Sequence, residues 1–433
     1  MASRIHNLRW YVAGMLLAAA VINYIDRQAF SILAPDLQRV IGWSELDYGR
    51  IVIAFQIAYA VMLLFSGRLI DWIGTRAGFA IAIIWWSIAA AAHALARNAV
   101  QFGVARFALG MGEAANFPAT VKAVAEWFPV KERATATGIF NAGPTVGAIA
   151  APILVPVIAA YFGWQGAFVL TGAIGFLWFA GWWRIYYRPE EHPRIETQEL
   201  ALIKQGAVPA TSERISWFRL LKYRQTWAYA VAKMLPDPVW WFYLFWLPKF
   251  LAQNFGIRGT AQIAPLTTVY VMAGLGSVAA GAVSSALLRH GWSLNAARKA
   301  TFGGIAVLMP VVIFAAFTRH AWTAVLLIGF ATALHQGFST TVFTMASDLI
   351  PSRAVGSVIG IGGALAGVCS ILAAEYTGRI LQQNPGHYLP MFVVAGTSYL
   401  VCLLLVHLLV PQYEPAVIVG VGPGGRRDRD AFH

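Results

Sequence analysis

The chain alternates long apolar runs with short polar stretches, and twelve of the runs are long enough to cross a bilayer as helices. They fall near 10–33, 48–67, 77–96, 98–121, 134–161, 164–187, 226–251, 263–288, 300–318, 321–346, 354–380 and 388–410. Each is close to the length a spanning helix needs, and none shows the period-two alternation of a barrel strand. The pattern therefore predicts an all-α polytopic membrane protein of twelve transmembrane helices. The only long polar segment, 188–225, divides the runs six and six. The expected layout is an N-terminal six-helix bundle over 1–187, a cytoplasmic linker over 188–225, a C-terminal six-helix bundle over 226–410 and a disordered cytoplasmic tail over 411–433. The tail is assigned from its Gly- and Arg-rich composition, VGPGGRRDRD.

Composition agrees with the pattern. Of the 433 residues 58% are hydrophobic and 12% charged, about half the charge of a soluble domain. A formal charge of +13 would suit a nucleic-acid binder, but cytoplasmic loops of membrane proteins collect Lys and Arg for a simpler reason. With the N-terminus inside, internal segments hold about 22 of the 32 basic residues and external ones about six, the rest lying within spans. Both termini are thus expected in the cytoplasm of a plasma (inner) membrane protein, with the lipid bilayer and no nucleic acid as partner. Arg4 and Arg9 before the first run imitate a secretory signal, but no small-x-small site precedes Asp26, so the first helix is expected to be retained. Cys369 and Cys402 sit in apolar runs without CxxC or Cys/His spacing, which implies neither a disulfide framework nor a metal site. HExxH, G-x-S-x-G and P-loop motifs are all absent, which argues against an enzyme and against ATP-driven transport.

Three runs carry charges of both signs: Asp26 and Arg27, Arg106 and Glu113, Lys233 and Asp237. A charge at bilayer depth costs about 2.5–3.5 kcal/mol on insertion scales, so each must face a polar interior or a partner. Arg27 offers a planar donor fork that cannot discharge by losing its proton, which suits a carboxylate ligand. Asn23, Tyr24 and Arg27 share a helix face and could grip a carboxylate together with hydroxyls. The alternative is that Arg27 only pairs with a neighbouring acid. Asp26 lies about 100° around the helix from Arg27, where burial and a nearby cation act in opposite senses on its proton. It is either a proton site or a static clamp on Arg27. Glu113 is set among small residues in GMGEAAN, with Arg106 two turns earlier on roughly the same face. It is either a second proton site or part of a structural Arg–Glu network.

Lys233 and Asp237 are four apart, with Pro236 and Pro238 bracketing the aspartate and Trp240–Trp241 following. They either touch substrate, with Trp241 packing on it, or neutralise each other inside the bundle. His335, Gln336 and Thr341 in the tenth run, Gln56 and Tyr59 in the second and Asn141 in the fifth could bind hydroxyls or join helices. Asp71, Arg76 and Arg68 stand in the short loop after the second run, where charge is cheap, and suit gating.

Several of these segments resemble known ones. Gly67–Arg76 (GRLIDWIGTR) is similar to the G-x-L-x-D-r-x-G-r-r loop of the major facilitator superfamily, with Thr75 replacing one basic residue. Within it, NYIDRQ (23–28), ARFALGMGEAANFPA (105–119), KERATATGIFNAG (131–143) and GWQGAF (163–168) resemble the anion:cation symporter family. KMLPDPVWWFYLFWLPKFL (233–251) and HQGFSTTVFTMASDLIP (335–351) are similar to its hexuronate-transporter branch. Pro144 stands where the galactonate branch tends to have a polar amide, and Ser339-Thr340-Thr341 where hexuronate relatives often show Ser-x-Asn. The resemblance implies the major facilitator fold and a monomeric carrier that imports a sugar acid such as glucuronate or galacturonate by alternating access. Protons would be the coupling ion, with sodium as the alternative, and no cofactor. Arg27 would hold the carboxylate while Asp26 and Glu113 carry protons. The rival readings are a symporter of galactonate, tartrate or an aromatic acid, and a sensor that binds ligand without transporting it.

Overall fold

The computed structural model describes residues 6–204, 217–350, 352–414 and 416. The middle of the 188–225 linker and nearly all of the 411–433 tail lie outside the described residues. Those described form helices and connecting turns with no strand among them. In the first half come α1 (Leu8–Ile41), α2 (Glu45–Ile73), α3 (Thr75–Ala92), α4 (Ala99–Glu113), α5 (Asn116–Trp127) and α6 (Val130–Ile185). The short α7 (Thr197–Lys204) and α8 (Trp217–Leu220) lead to α9 (Arg224–Met234) and α10 (Asp237–Phe255). The second half continues with α11 (Ile263–Arg289), α12 (Leu294–Leu308), α13 (Ala321–Leu349), α14 (Ser352–Gln383) and α15 (Leu389–Leu409).

Among the described residues nine helical segments are long and apolar enough to cross a membrane. The remaining crossings come from helices that the sequence interrupts. Gly163 has φ 70°, ψ 173° inside α6, a conformation open to glycine and costly for other residues. The chain reverses there. Gly143 and Gly147 of the first arm run along Leu17–Tyr24 of α1, whereas Trp178 of the second arm returns to donate its indole N–H to the Met15 carbonyl. The fourth expected run is two helices, α4 and α5, because Pro118 has no N–H for the Ala114 carbonyl; the Ser66 hydroxyl approaches that oxygen instead, at 3.4 Å. Pro236 and Pro238 likewise split the seventh run into α9 and α10. Both breaks fall beside an intramembrane carboxylate, Glu113 in the first and Asp237 in the second.

Close approach of backbones brings these breaks into the interior. A Cβ on Gly110 would sit 2.6 Å from the Phe55 carbonyl oxygen of α2, so α4 lies against α2 with no side chain between them. The described first part of the linker packs back on the first half. Glu199 of α7 is buried and accepts the free N–H groups of Leu8 and Arg9 at the start of α1, each at 3.0 Å, and the Arg9 guanidinium at 2.9 Å. It therefore caps α1 from the side, satisfying donors a helix start leaves open. Glu190, Glu191 and Arg194 are exposed, as a solvated face should be.

Gly110→Ala is expected to force α4 off α2 and lower thermal stability by about 1–3 kcal/mol, the usual cost of overpacking. Gly138→Ala, where an added Cβ meets nothing within 4 Å, should be neutral or stabilising. Thermal unfolding of the two purified variants in the same detergent checks the contrast.

Candidate functional site

The charged residues of α1 and α4 meet in the middle of the first half. Arg27 is 3% exposed. Its Nε and Nη2 both donate to Oε2 of Glu113, at 2.9 and 2.8 Å, and Nη2 also donates to Asn23 Oδ1 at 3.0 Å. Four aromatic rings enclose the guanidinium: Tyr24, Tyr59, Phe55 and Trp241, with centroids 4.8, 4.9, 5.2 and 5.4 Å away. Three belong to the first half and Trp241 comes from α10. Such faces attract a cation through the ring quadrupole, the more so when it is desolvated.

Arg106 lies beside this pair, fully buried, with Nη2 donating to the Arg27 carbonyl at 3.1 Å and the rings of Phe55, Phe30 and Phe245 at 4.8, 4.9 and 5.7 Å. Its Nε and Nη1 have no hydrogen-bond partner among the described residues. The same holds for both oxygens of Asp26, for Oε1 of Glu113 and for the amide of Gln56. Asp26 points toward the second arm of α6, beside Thr171, whose hydroxyl is directed to the Phe168 carbonyl at 3.4 Å. Asp26 therefore does not clamp Arg27. The acid that does is Glu113, from another helix, and Arg106 contributes charge nearby without being the bonded partner of Glu113. Buried polar atoms are normally paired, so this group of unpaired ones beside the Arg27–Glu113 bond makes the centre of the first half the candidate site.

The second half supplies a more modest set. Lys233 and Asp237 form an ion pair at 2.8 Å across the α9–α10 break, with the ammonium 5.1 Å from the Phe343 ring centroid. His335 is buried, with Nδ1 2.5 Å from the Tyr399 hydroxyl and its ring stacked on Trp240 at 5.4 Å. Gln336 is half-buried. Thr341 uses its hydroxyl on the Gly337 carbonyl of its own helix, at 2.9 Å. Asn141 is exposed on the first arm of α6. The residues expected in a loop after the second run are helical instead, Arg68 and Asp71 in the last turns of α2 and Arg76 in the first turn of α3, with only Gly74 between the helices. They contact other side chains than those of the charged centre. Asp71 pairs with Lys122 of α5 at 2.9 Å, Arg76 stacks on Tyr187 and Trp183 at 3.7 and 4.5 Å, and Arg68 is exposed. These pairs tie together helices of the same half.

Residues that the sequence did not single out join the halves at the end away from the termini. Lys249 of α10 pairs with Glu45 of α2 at 2.5 Å, and both are buried. The Tyr48 hydroxyl donates to the Phe245 carbonyl at 2.5 Å. The spacing of Trp241, Phe245 and Lys249 at every fourth position was a usable signal, since it sets all three on one face of α10.

A polytopic helical chain with paired charges at the centre of one half and a sealed seam between halves is the architecture of a solute carrier. The family model described as Major Facilitator Superfamily matches residues 16–374, and the chain belongs to that family. It is 31% identical over 425 residues to the hexuronate transporter of Escherichia coli (strain K12), covering 96% of this chain and 97% of that protein. It is 34% identical over 284 residues to the galacturonate transporter of Dickeya chrysanthemi, covering 64% of this chain and 82% of that one. The fold is similar to the crystal structure of a D-xylose-proton symporter, with a TM-score of 0.74 and 15% identity over 94% of this chain and 98% of that chain. The protein is thus a multi-pass membrane transporter and not an enzyme.

Breaking one partner of a buried ion pair typically costs about 3–5 kcal/mol. Arg27→Met and Glu113→Gln are each expected to destabilise, and the double variant by less than their sum. Asp26→Asn with Arg27→Met should show a smaller coupling than the Arg27–Glu113 pair, since Asp26 and Arg27 make no bond and share only the field of Glu113. Double-mutant cycles on unfolding in detergent measure both couplings.

Proposed function

We propose that the protein is a proton-coupled symporter that carries a hexuronate such as glucuronate or galacturonate into the cell by alternating access. The observation behind this is the Arg27 fork, which is held by a removable acid inside an aromatic cage. Arg27 donates twice to a single oxygen of Glu113. A proton on Glu113 removes the charge that holds the fork there, and the carboxylate of a sugar acid takes the place. Tyr24, Tyr59 and Trp241 then offer ring faces to the sugar C–H surfaces. Asn23, Gln56, Asn141, Gln336, Thr341, His335 and the Lys233–Asp237 pair supply groups for hydroxyls. Asp26 is the second proton carrier, because it is a buried carboxylate with no cation bonded to it and only the Thr171 hydroxyl beside it. The names of the E. coli and Dickeya relatives support the substrate class.

The driving force follows from charge. Two protons with one monoanion move a net positive charge inward, worth about 2.3 kcal/mol per 100 mV, and each proton adds about 1.4 kcal/mol per pH unit. The bundles over 1–187 and 226–410 rock about the central site, with both termini in the cytoplasm of the inner membrane and Asp71, Arg76 and Arg68 acting at the cytoplasmic gate. The Glu45–Lys249 pair closing the end away from the termini supports reading this as a state shut to the outside, and the carrier is taken to work as a monomer.

The test is uptake into proteoliposomes. Labelled glucuronate and galacturonate should accumulate under an inward proton gradient and outcompete galactonate, tartrate and benzoate. Glu113→Gln, which mimics the protonated acid, should exchange substrate in counterflow yet fail to concentrate it. Asp26→Asn should flatten the pH profile between pH 5 and 8. Wild-type accumulation without any proton gradient or membrane potential would reject the coupling, and concentrative uptake by Glu113→Gln would return Glu113 to a structural role.

A further inference from the structure

The Glu45–Lys249 pair differs in kind from the pair at the centre. Arg27–Glu113 lies within one half and survives when the halves move apart. Glu45 and Lys249 come from opposite halves, so their bond exists only while the outer end is shut. Both oxygens of Glu45 are also bonded. Glu45 Oε2 takes the Lys249 ammonium at 2.5 Å, and Oε1 accepts the amides of Gln253 and Gln38 at 2.8 and 3.0 Å. Gln253 in turn accepts the Tyr388 hydroxyl at 2.7 Å, and the Tyr48 ring lies 4.3 Å from the Lys249 ammonium. The Leu46 N–H donates to Gln382 of α14 at 3.3 Å. Beside it Gly49 and Gly378 meet, a Cβ on Gly49 lying 3.4 Å from the Gly378 Cα.

We propose that Glu45 and Lys249 are the latch of the outer gate, a positioning pair for the transport cycle that also couples the gate to the central site. The proposal rests on the alternating-access reading above. A buried ion pair gains little over an apolar pair because of its desolvation cost, which is what a reversible latch requires. Closed, the two charges satisfy each other. Open, each regains water. Two apolar residues at these positions would favour the closed state alone. The coupling runs along one face of each helix. Trp241, Phe245 and Lys249 recur at every fourth position of α10, and they face Tyr59, Phe55 and Tyr48 of α2. Lys249 stands over Tyr48, the Tyr48 hydroxyl holds the Phe245 carbonyl at 2.5 Å, and Phe245 stacks on Trp241 at 5.5 Å. Trp241 is the ring that the second half contributes to the Arg27 cage. Lifting α10 from α2 to free Lys249 therefore carries Phe245 off Arg106 and Trp241 off Arg27, exposing the carboxylate fork to the outside as the gate opens.

Val52 reports on the latch. It is fully buried, one turn below Tyr48 on the same face of α2. In a background with Cys369 and Cys402 replaced by Ala, Val52→Cys should react slowly with a membrane-impermeant maleimide applied to the outer side. Lys249→Met or Glu45→Gln should raise that rate about tenfold, the change expected when a buried charge-assisted bond is lost. The exchanged pair Glu45→Lys/Lys249→Glu should bring it back toward the parent rate. Gln253→Ala, a milder change, should raise it about threefold through loss of one hydrogen bond, and it decides the matter if the charge variants fail to assemble. Unchanged labelling in every variant that assembles overturns the latch. Parent uptake of glucuronate, measured alongside, separates the two readings: uptake with unchanged labelling rejects the latch alone, and accelerated labelling without uptake of any sugar acid rejects the transport reading alone.

Discussion

The Arg27–Glu113 bond is the interaction on which the rest of the molecule depends, because it places two opposite charges at the centre of a helix bundle that offers them no water. Desolvating such a pair is tolerable only with excellent geometry and additional support, and the surrounding sequence supplies both. Gly110 lets α4 touch the backbone of α2, which brings Glu113 within 2.8 Å of the guanidinium. Asn23 takes a further donor, and four rings cover the faces of the cation. The support is incomplete in a particular way. Glu113 keeps one oxygen unpaired, and Asp26 keeps two. In the proposed mechanism these open positions are where a proton and a substrate carboxylate are received.

The halves meet where α2 lies against α14, α6 against α11 and α1 against α10. Between these contacts long side chains of α2 and α10 reach each other in a ladder of rings from the charged centre to the end away from the termini. Phe55 and Phe245 lie 6.3 Å apart edge to face, Tyr59 and Trp241 6.4 Å, and Tyr48 and Trp246 5.5 Å. Aromatic contacts of this kind contribute about 0.5–1.5 kcal/mol each beyond their buried area. Together they are strong enough to hold one arrangement and weak enough to be exchanged for another. In the proposed cycle the Glu45–Lys249 pair holds one state while the Arg27–Glu113 site responds to the ligand.

Much of this was legible from residue patterns. Hydropathy marked the twelve crossings, and the i, i+4 spacing of Asn23 and Arg27 anticipated their hydrogen bond. The spacing of Lys233 and Asp237 anticipated their ion pair in the same way. What spacing could not supply was the partner across helices. Arg106 sits two turns from Glu113 on one helix and looked like its mate, but the bond goes to Arg27 on α1, and that depends on how closely α4 approaches α2. Asp26 is adjacent to Arg27 in sequence and turned away from it in space. Lys249 lies near the end of its run and Glu45 just before the start of the second run, at 48–67, where a charge ordinarily reaches water. Their burial appears only when α2 and α10 are set face to face. The cap on α1 was out of reach for a related reason, since Glu199 meets the Leu8 and Arg9 N–H groups only through the packing of α7 against the start of α1.

The central claim is that Glu113 and the substrate carboxylate compete for one guanidinium, so that binding substrate must bring a proton onto the protein. Proton uptake on adding glucuronate to the purified transporter in weakly buffered detergent solution tests this without any membrane. The account predicts uptake that saturates with substrate binding, an apparent affinity that tightens as pH falls, and loss of the Glu113-linked part of the uptake in Glu113→Gln. Saturable glucuronate binding by the wild type with no proton taken up at any pH between 5 and 8 would contradict it.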